Sequence, residues 1–126
     1  MFNPQSEVKA IQVRLKRHAR GKTEVFNPAL SLLLWKEEGR YFVHCLELDI
    51  VGDGTTVGEA YTHIAELILE QIEFAEENKT EILHPAPKEY WDKFLEIHLN
   101  QTKQSLLDNP PQSSKELVEG FEPVNA

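Results

Sequence analysis

Apolar and polar positions follow two different periods along this chain, and the change from one to the other marks its elements. Leu30 to Trp35 is an apolar run that predicts a strand. Lys36 to Arg40 is polar, with Gly39 near its end, and suits a five-residue hairpin loop. Tyr41, Val43 and Cys45 then alternate with Phe42, His44 and Leu46, and both sets carry apolar groups. A strand of that kind lies in the middle of a sheet, covered on part of each face. Leu46 to Val51 predicts a third short strand, and Gly52-Asp53-Gly54 a turn after it.

At Thr56 the period becomes helical. Thr56-Val57-Gly58-Glu59 reads as a capping box, in which the Thr56 hydroxyl accepts from the Glu59 amide and the Glu59 carboxylate reaches back. Ala60, Tyr61, Ile64, Leu67, Ile68, Ile72 and Ala75 then share one face, and Glu66, Glu70, Glu73, Glu76 and Glu77 cover the other. Asn78-Lys79 is the expected stop. Thr80 to Leu83 reads as a short edge strand, and Pro85 and Pro87 keep the chain extended beyond it. A second helix is predicted from Lys88, with Tyr90, Trp91, Phe94, Leu95 and Leu99 as an aromatic stripe too large for one small core.

The two ends are less regular. Val8, Ile11 and Leu15 are spaced for a helix, while Ile11, Val13 and Leu15 alternate equally well as a strand. Four regions result: a basic N-terminal extension over 1–28, an αβ domain over 29–87, a C-terminal helix over 88–108, and an acidic, proline-containing tail over 109–126 that reads as disordered. The fold class is α+β, a small antiparallel sheet of three or four strands in the order β-β-β-α-β, with one main helix on one face and an additional C-terminal helix.

The order strand–turn–strand, short strand, G-x-G-x-T turn and Glu-Ala-containing helix resembles the HicB antitoxin family. Tyr41-Phe42-Val43, Gly52-Asp53-Gly54-Thr55-Thr56 and Glu59-Ala60 carry that resemblance, over about 50 residues. It implies a partial RNase H-like core that binds a small basic, RNA-cleaving toxin and catalyses nothing. In that family a C-terminal segment binds operator DNA. Residues 88–126 lack a basic recognition helix, so this chain departs from the pattern there.

Charge sharpens the picture. Residues 9–22 hold six cations and no acid, whereas 23–126 hold 20 acids against 7 bases, and the net charge is −8. An acidic body suits a basic protein partner better than a phosphate backbone. The expected partner surface is Arg40, Tyr41, Glu47 and Asp49 with the helix acids Glu66, Glu70 and Glu73. Arg14, Lys16, Arg17 and Arg20 form the one basic stretch able to touch nucleic acid, and a nucleic-acid-binding or metal-dependent nuclease-like domain is the alternative. Self-association, as a dimer, is expected from open sheet edges and the aromatic stripe.

Candidate chemistry is sparse. Gly52-Asp53-Gly54 precedes a helix, but Asp53 stands where a phosphate would sit and no Lys follows. His18, His44, His63, His84 and His98 show no ligand spacing. His44 and Cys45 are strand neighbours and point to opposite faces, which argues against a dyad. Glu47 and Asp49 share a strand face by alternation and could hold a metal pair, but a solvated surface is the better account. No catalytic residue, metal or cofactor is expected. The single Cys45, the absence of a long apolar run and the absence of a secretory leader pattern point to the cytoplasm and away from membranes.

Overall fold

The computed structural model describes residues 8–19, 21–26, 29–108 and 120–124. The chain is α+β: β1 (Lys9–Ala19), β2 (Lys22–Val25), β3 (Leu30–Glu37), β4 (Arg40–Cys45), β5 (Ile50–Gly54), α1 (Val57–Asn78), α2 (Lys88–Asp108) and β6 (Phe121–Pro123). The strands make one antiparallel sheet ordered β2-β1-β3-β4-β5, and β6 also pairs with β1. It is larger than the three or four strands expected, because the basic extension contributes β1 and β2. No helix among the described residues is long and apolar enough to cross a membrane.

β1 is long enough for several partners. Its N-terminal half pairs with β3, its C-terminal half with β2 and its middle with β6. Of the two periodicities open in the sequence, the alternating one holds. Val13 and Leu15 are buried on the α1 side, and Ala10 on the other. Backbone parity shows which partners share an edge. The Leu15 carbonyl receives the Phe26 N–H, while Lys16 donates to Gly120 O at 2.7 Å and Gln12 O receives the Val124 N–H. Odd residues of β1 thus turn toward β2 and β3, and even residues toward β6.

The β3–β4 connection is tighter than predicted. Lys36 pairs with Tyr41 and Glu37 with Arg40, which leaves the two-residue turn Glu38-Gly39. Both residues have positive φ, 50° and 79°, the geometry that matches the twist of a two-residue hairpin. The next strand is also displaced from its expected place. Residues 46–49 form a turn, and the outermost strand is β5, which includes Gly52 and Gly54. The glycines therefore serve a strand rather than a turn.

Those glycines set the position of α1. A Cβ on Gly52 would come within 2.7 Å of the Ile64 amide nitrogen, and one on Gly54 within 2.5 Å of Glu59 Cβ. Only hydrogen at both positions lets the helix backbone rest on the strand. The helix opens as predicted at Thr56, whose hydroxyl accepts the Glu59 N–H at 3.1 Å. The Glu59 carboxylate reaches back to Thr55 N and Oγ1 instead of Thr56. Lys79 closes the helix in the left-handed region, donating its N–H to Ala75 O.

Two cores result. Ala60, Tyr61, Ile64, Ala65 and Ile68 of α1 bury against one face, with Leu32, Val43, Cys45 and Phe121. The other face is covered by α2 through Phe94, packed with Leu33, Trp35 and Leu46. The alternation in β4 predicted cover on part of each face, and α2 supplies the cover that the single-helix architecture left out. Residues 80–87 are not the predicted edge strand. They run extended past the 46–49 turn, with His84 N donating to Glu47 O and Ala86 N to Leu46 O. The tail also departs from expectation, since Phe121 is fully buried on Tyr61. Its residues 109–119, 125 and 126 lie outside the described residues.

Candidate functional site

The most built-up polar surface lies where the β3–β4 hairpin, β5 and the first turns of α1 meet. Arg40, Asp53, Gly54, Gly58, Glu59, Thr62, His63 and Glu66 line a shallow, open depression there. Arg40 leaves the hairpin at the start of β4, and Asp53 is its diagonal neighbour on β5, opposite Phe42 and on the same face. The Arg40 Nη2 and Nε donate to one oxygen, Asp53 Oδ2, at 2.8 and 3.1 Å. Hydrogen bonding from Arg40, together with the Arg40 charge, holds the Asp53 carboxyl below the usual range.

His63 adds a contact that sequence reasoning did not single out. Its Nδ1 accepts the Asp53 backbone N–H at 3.0 Å, while Asp53 Oδ1 lies 3.3 Å from the same nitrogen. The backbone contact requires an unprotonated Nδ1. This N–H points out of the sheet. Leu46 N donates to Ser31 O, so even residues of β4 face β3 and odd ones face β5. Val51 and Asp53 therefore turn outward at the free edge of β5. A signal for His63 was present in retrospect, because it lies one helical turn beyond Glu59, above the glycines.

The predicted partner residues do not form one surface. Arg40 and Glu66 border the depression. Tyr41 is half-buried against the α1 core, and Lys36 Nζ sits 5.3 Å from its ring centroid. Glu47 and Asp49 lie beyond the opposite end of β4, and each has internal work. Glu47 Oε1 accepts the Ser31 N–H at 2.7 Å, and Asp49 Oδ1 is 2.7 Å from His44 Nε2. Burial raises the Glu47 carboxyl, against the lowering effect of the Ser31 amide. The two acids stand in a turn, not on a strand face, and among the described residues no group of three or more His, Cys, Asp or Glu could hold a metal ion. Glu66, Glu70 and Glu73 are exposed along α1.

His44 and Cys45 point apart, as their alternation required. His44 packs edge-on to Tyr90 on the α2 side, whereas Cys45 is buried in the α1 core. Burial, then the nearby Glu47 charge, pushes the Cys45 thiol up to about 12, so it stays protonated and unreactive. Arg14 and Lys16 share one face of β1 by alternation. Arg17 is held by Glu24 at 3.1 Å and Glu76 at 3.6 Å, which neutralises it locally. Arg20 lies outside the described residues.

No family model matches the chain, and no curated protein or solved structure matches it either.

Proposed function

We propose that this chain is a non-catalytic, HicB-like protein-binding module whose partner is a small, basic, toxin-like protein in the cytoplasm. The observation that carries the reading is the outward face of α1. Glu66, Glu70 and Glu73 are exposed there at helical spacing, and among the described residues none of them forms an ion pair. A row of unneutralised carboxylates on a rigid helix raises the association rate of a cationic partner. The depression at Arg40 and His63 continues the same surface. The order of elements from β3 to α1, together with Tyr41-Phe42-Val43 and Glu59-Ala60, supports the kinship.

The module is proposed to work as a dimer. Tyr90, Trp91 and Phe94, which suggested an interface, are largely absorbed into the second core, but Leu95 and Leu99 remain 55% and 65% exposed on α2. Light scattering is expected to give twice the 14.5 kDa chain mass.

The partner surface is tested by reversing Glu66, Glu70 and Glu73 to Lys and measuring association with the cognate basic protein. The expected outcome is association slowed about tenfold, with the wild-type rate falling as salt passes about 0.15 M. Equal rates for the two proteins would place the surface elsewhere. A Mg²⁺-dependent RNA cleavage by the pure wild type, lost in Glu47→Gln, would overturn the non-catalytic reading.

A further inference from the structure

β5 is the outermost strand, and its outer side is only partly closed. Val51 and Asp53 turn their backbone N–H and C=O groups away from β4. Among the described residues one contact is made there, from the Asp53 N–H to His63. The Val51 N–H, the Val51 carbonyl and the Asp53 carbonyl are left for another strand. The Val51 side chain, 46% exposed, stands beside them on the face turned away from α1, since Gly52 faces the helix.

One flank of α1 overhangs this edge. Two ties fix which one: His63 reaches Asp53 on the β5 side, and Glu76 meets Arg17 of β1 on the other. From His63 the helical repeat carries Leu67, Glu70 and Phe74 along the overhanging flank. Leu67 is half-buried, Glu70 is exposed and Phe74 is 58% exposed. Glu59 and Glu66 border the same flank, and Arg40 beside them is engaged by Asp53. Edge and flank are the two walls of a groove. One wall offers unpaired backbone groups, and the other offers apolar surface set among carboxylates.

We propose that this groove takes an extended, basic segment of the partner, which adds a strand to β5. The inference rests on the reading of a basic protein partner and supplies its mode of binding. The strands of this sheet pair antiparallel, and an antiparallel neighbour lets one residue bond both Val51 groups. That residue shares a face with Val51 and is apolar. The residues on either side of it lie beneath the α1 flank. Lys or Arg there lays its stem on Leu67 and sets its charge toward Glu66 and Glu70. A second copy is the poorer occupant, because β5 against β5 brings two acidic flanks together.

The experiment is calorimetric titration of the full chain with the end-blocked peptide Thr-Lys-Val-Lys-Val-Lys-Thr, paired with amide NMR. Saturable binding is expected, with the Val51 amide gaining protection from hydrogen exchange. N-methylation of the valines removes the donors that face β5 and is expected to abolish binding, whereas N-methylation of the lysines leaves it within about twofold. The same peptide with Glu for Lys is expected not to bind. Val51→Pro removes the outward donor without touching the β4 ladder and is expected to weaken the lysine peptide about tenfold. Should that variant fail to fold, the methylated peptides decide, because they leave the protein unchanged. Binding indifferent to valine methylation, with the Val51 amide unaffected, would overturn strand addition and leave the basic partner standing. Equal binding of the glutamate peptide would overturn both. No binding of the lysine peptide up to about 1 mM would overturn the groove, while the reversal of Glu66, Glu70 and Glu73 still tests the partner surface.

Discussion

The sheet ends at two edges, and α-helices complete both of them by different chemistry. At β1, the side-chain amide of Gln101 from α2 stands in for a strand. Its Nε2 donates to Ala10 O at 2.8 Å, and its Oε1 accepts from Ala10 N at 2.8 Å. A primary amide offers a donor and an acceptor at once and does not titrate, so this closure is independent of pH. At β5, His63 from α1 accepts the Asp53 N–H and offers nothing to the neighbouring carbonyl. One edge is sealed at both its donor and its acceptor, the other at its donor alone. Exposed edges invite pairing with other chains, and borrowed side chains guard them without adding a strand.

The comparison is broken most severely at the β1 edge. Phe121 anchors β6 beside Gln101 and is fully buried, so Phe121→Ala is expected to cost about 3–5 kcal/mol by chemical denaturation. A loss under about 1 kcal/mol would mean that β6 contributes little to that edge. The corresponding damage at β5 is overpacking. Gly52→Ala places a methyl against the Ile64 backbone, which cannot move as a side-chain tip can, and about 1–3 kcal/mol is expected.

Finer substitutions separate the two chemistries. Gln101→Leu orphans both polar groups of Ala10 and is expected to cost about 1–3 kcal/mol at every pH. His63→Leu removes the acceptor of the Asp53 N–H, and that amide is expected to lose protection in hydrogen exchange relative to the wild type at one fixed pH. Equal protection in the two proteins would mean that His63 does not close the β5 edge.

Glu47→Gln gives the smallest effect, and its sign follows from burial. In the unfolded chain this carboxyl ionises near its ordinary 4.5, but in the fold it keeps its proton to higher pH. The folded state therefore binds more protons in that window, and stability falls as pH rises through it. Gln retains the acceptor for Ser31 N without the charge. The variant is expected to be slightly more stable than the wild type at about pH 7 and to lose that advantage below pH 4.5. Asp53 has the opposite sense: its lowered carboxyl contributes above its ordinary 3.8, and that contribution is lost as pH falls through the depressed value.

What the chain announces in advance is whatever depends on local periodicity. The apolar run at Leu30–Trp35, the helical stripe from Ala60 and the second helix over 88–108 all write their burial into neighbouring residues. Gly52 and Gly54 were visible but misread, because a glycine needed for close approach looks the same as one needed for a turn. β1 was ambiguous because Ile11 and Leu15 satisfy both periods. Phe121 has only two strand neighbours, one of them a proline, so nothing local marks it as core. The site was less legible still. Arg40 and Asp53 are 13 positions apart and meet only through strand pairing, while His63 acts through one backbone N–H and Gln101 through the two backbone groups of Ala10.

The pairing of β6 with β1 also sets a timetable. Phe121 leaves the ribosome 106 positions after Leu15. At about 5–20 residues per second, that interval is on the order of 5–20 s. Throughout it the nascent chain holds Val13 and Leu15 without their last cover and β1 without its outer partner. Completion then requires closing a loop of 106 residues, the kind of non-local contact that slows folding. For those seconds the even-numbered side of β1 lacks its β6 partner and is an open edge on the newborn chain.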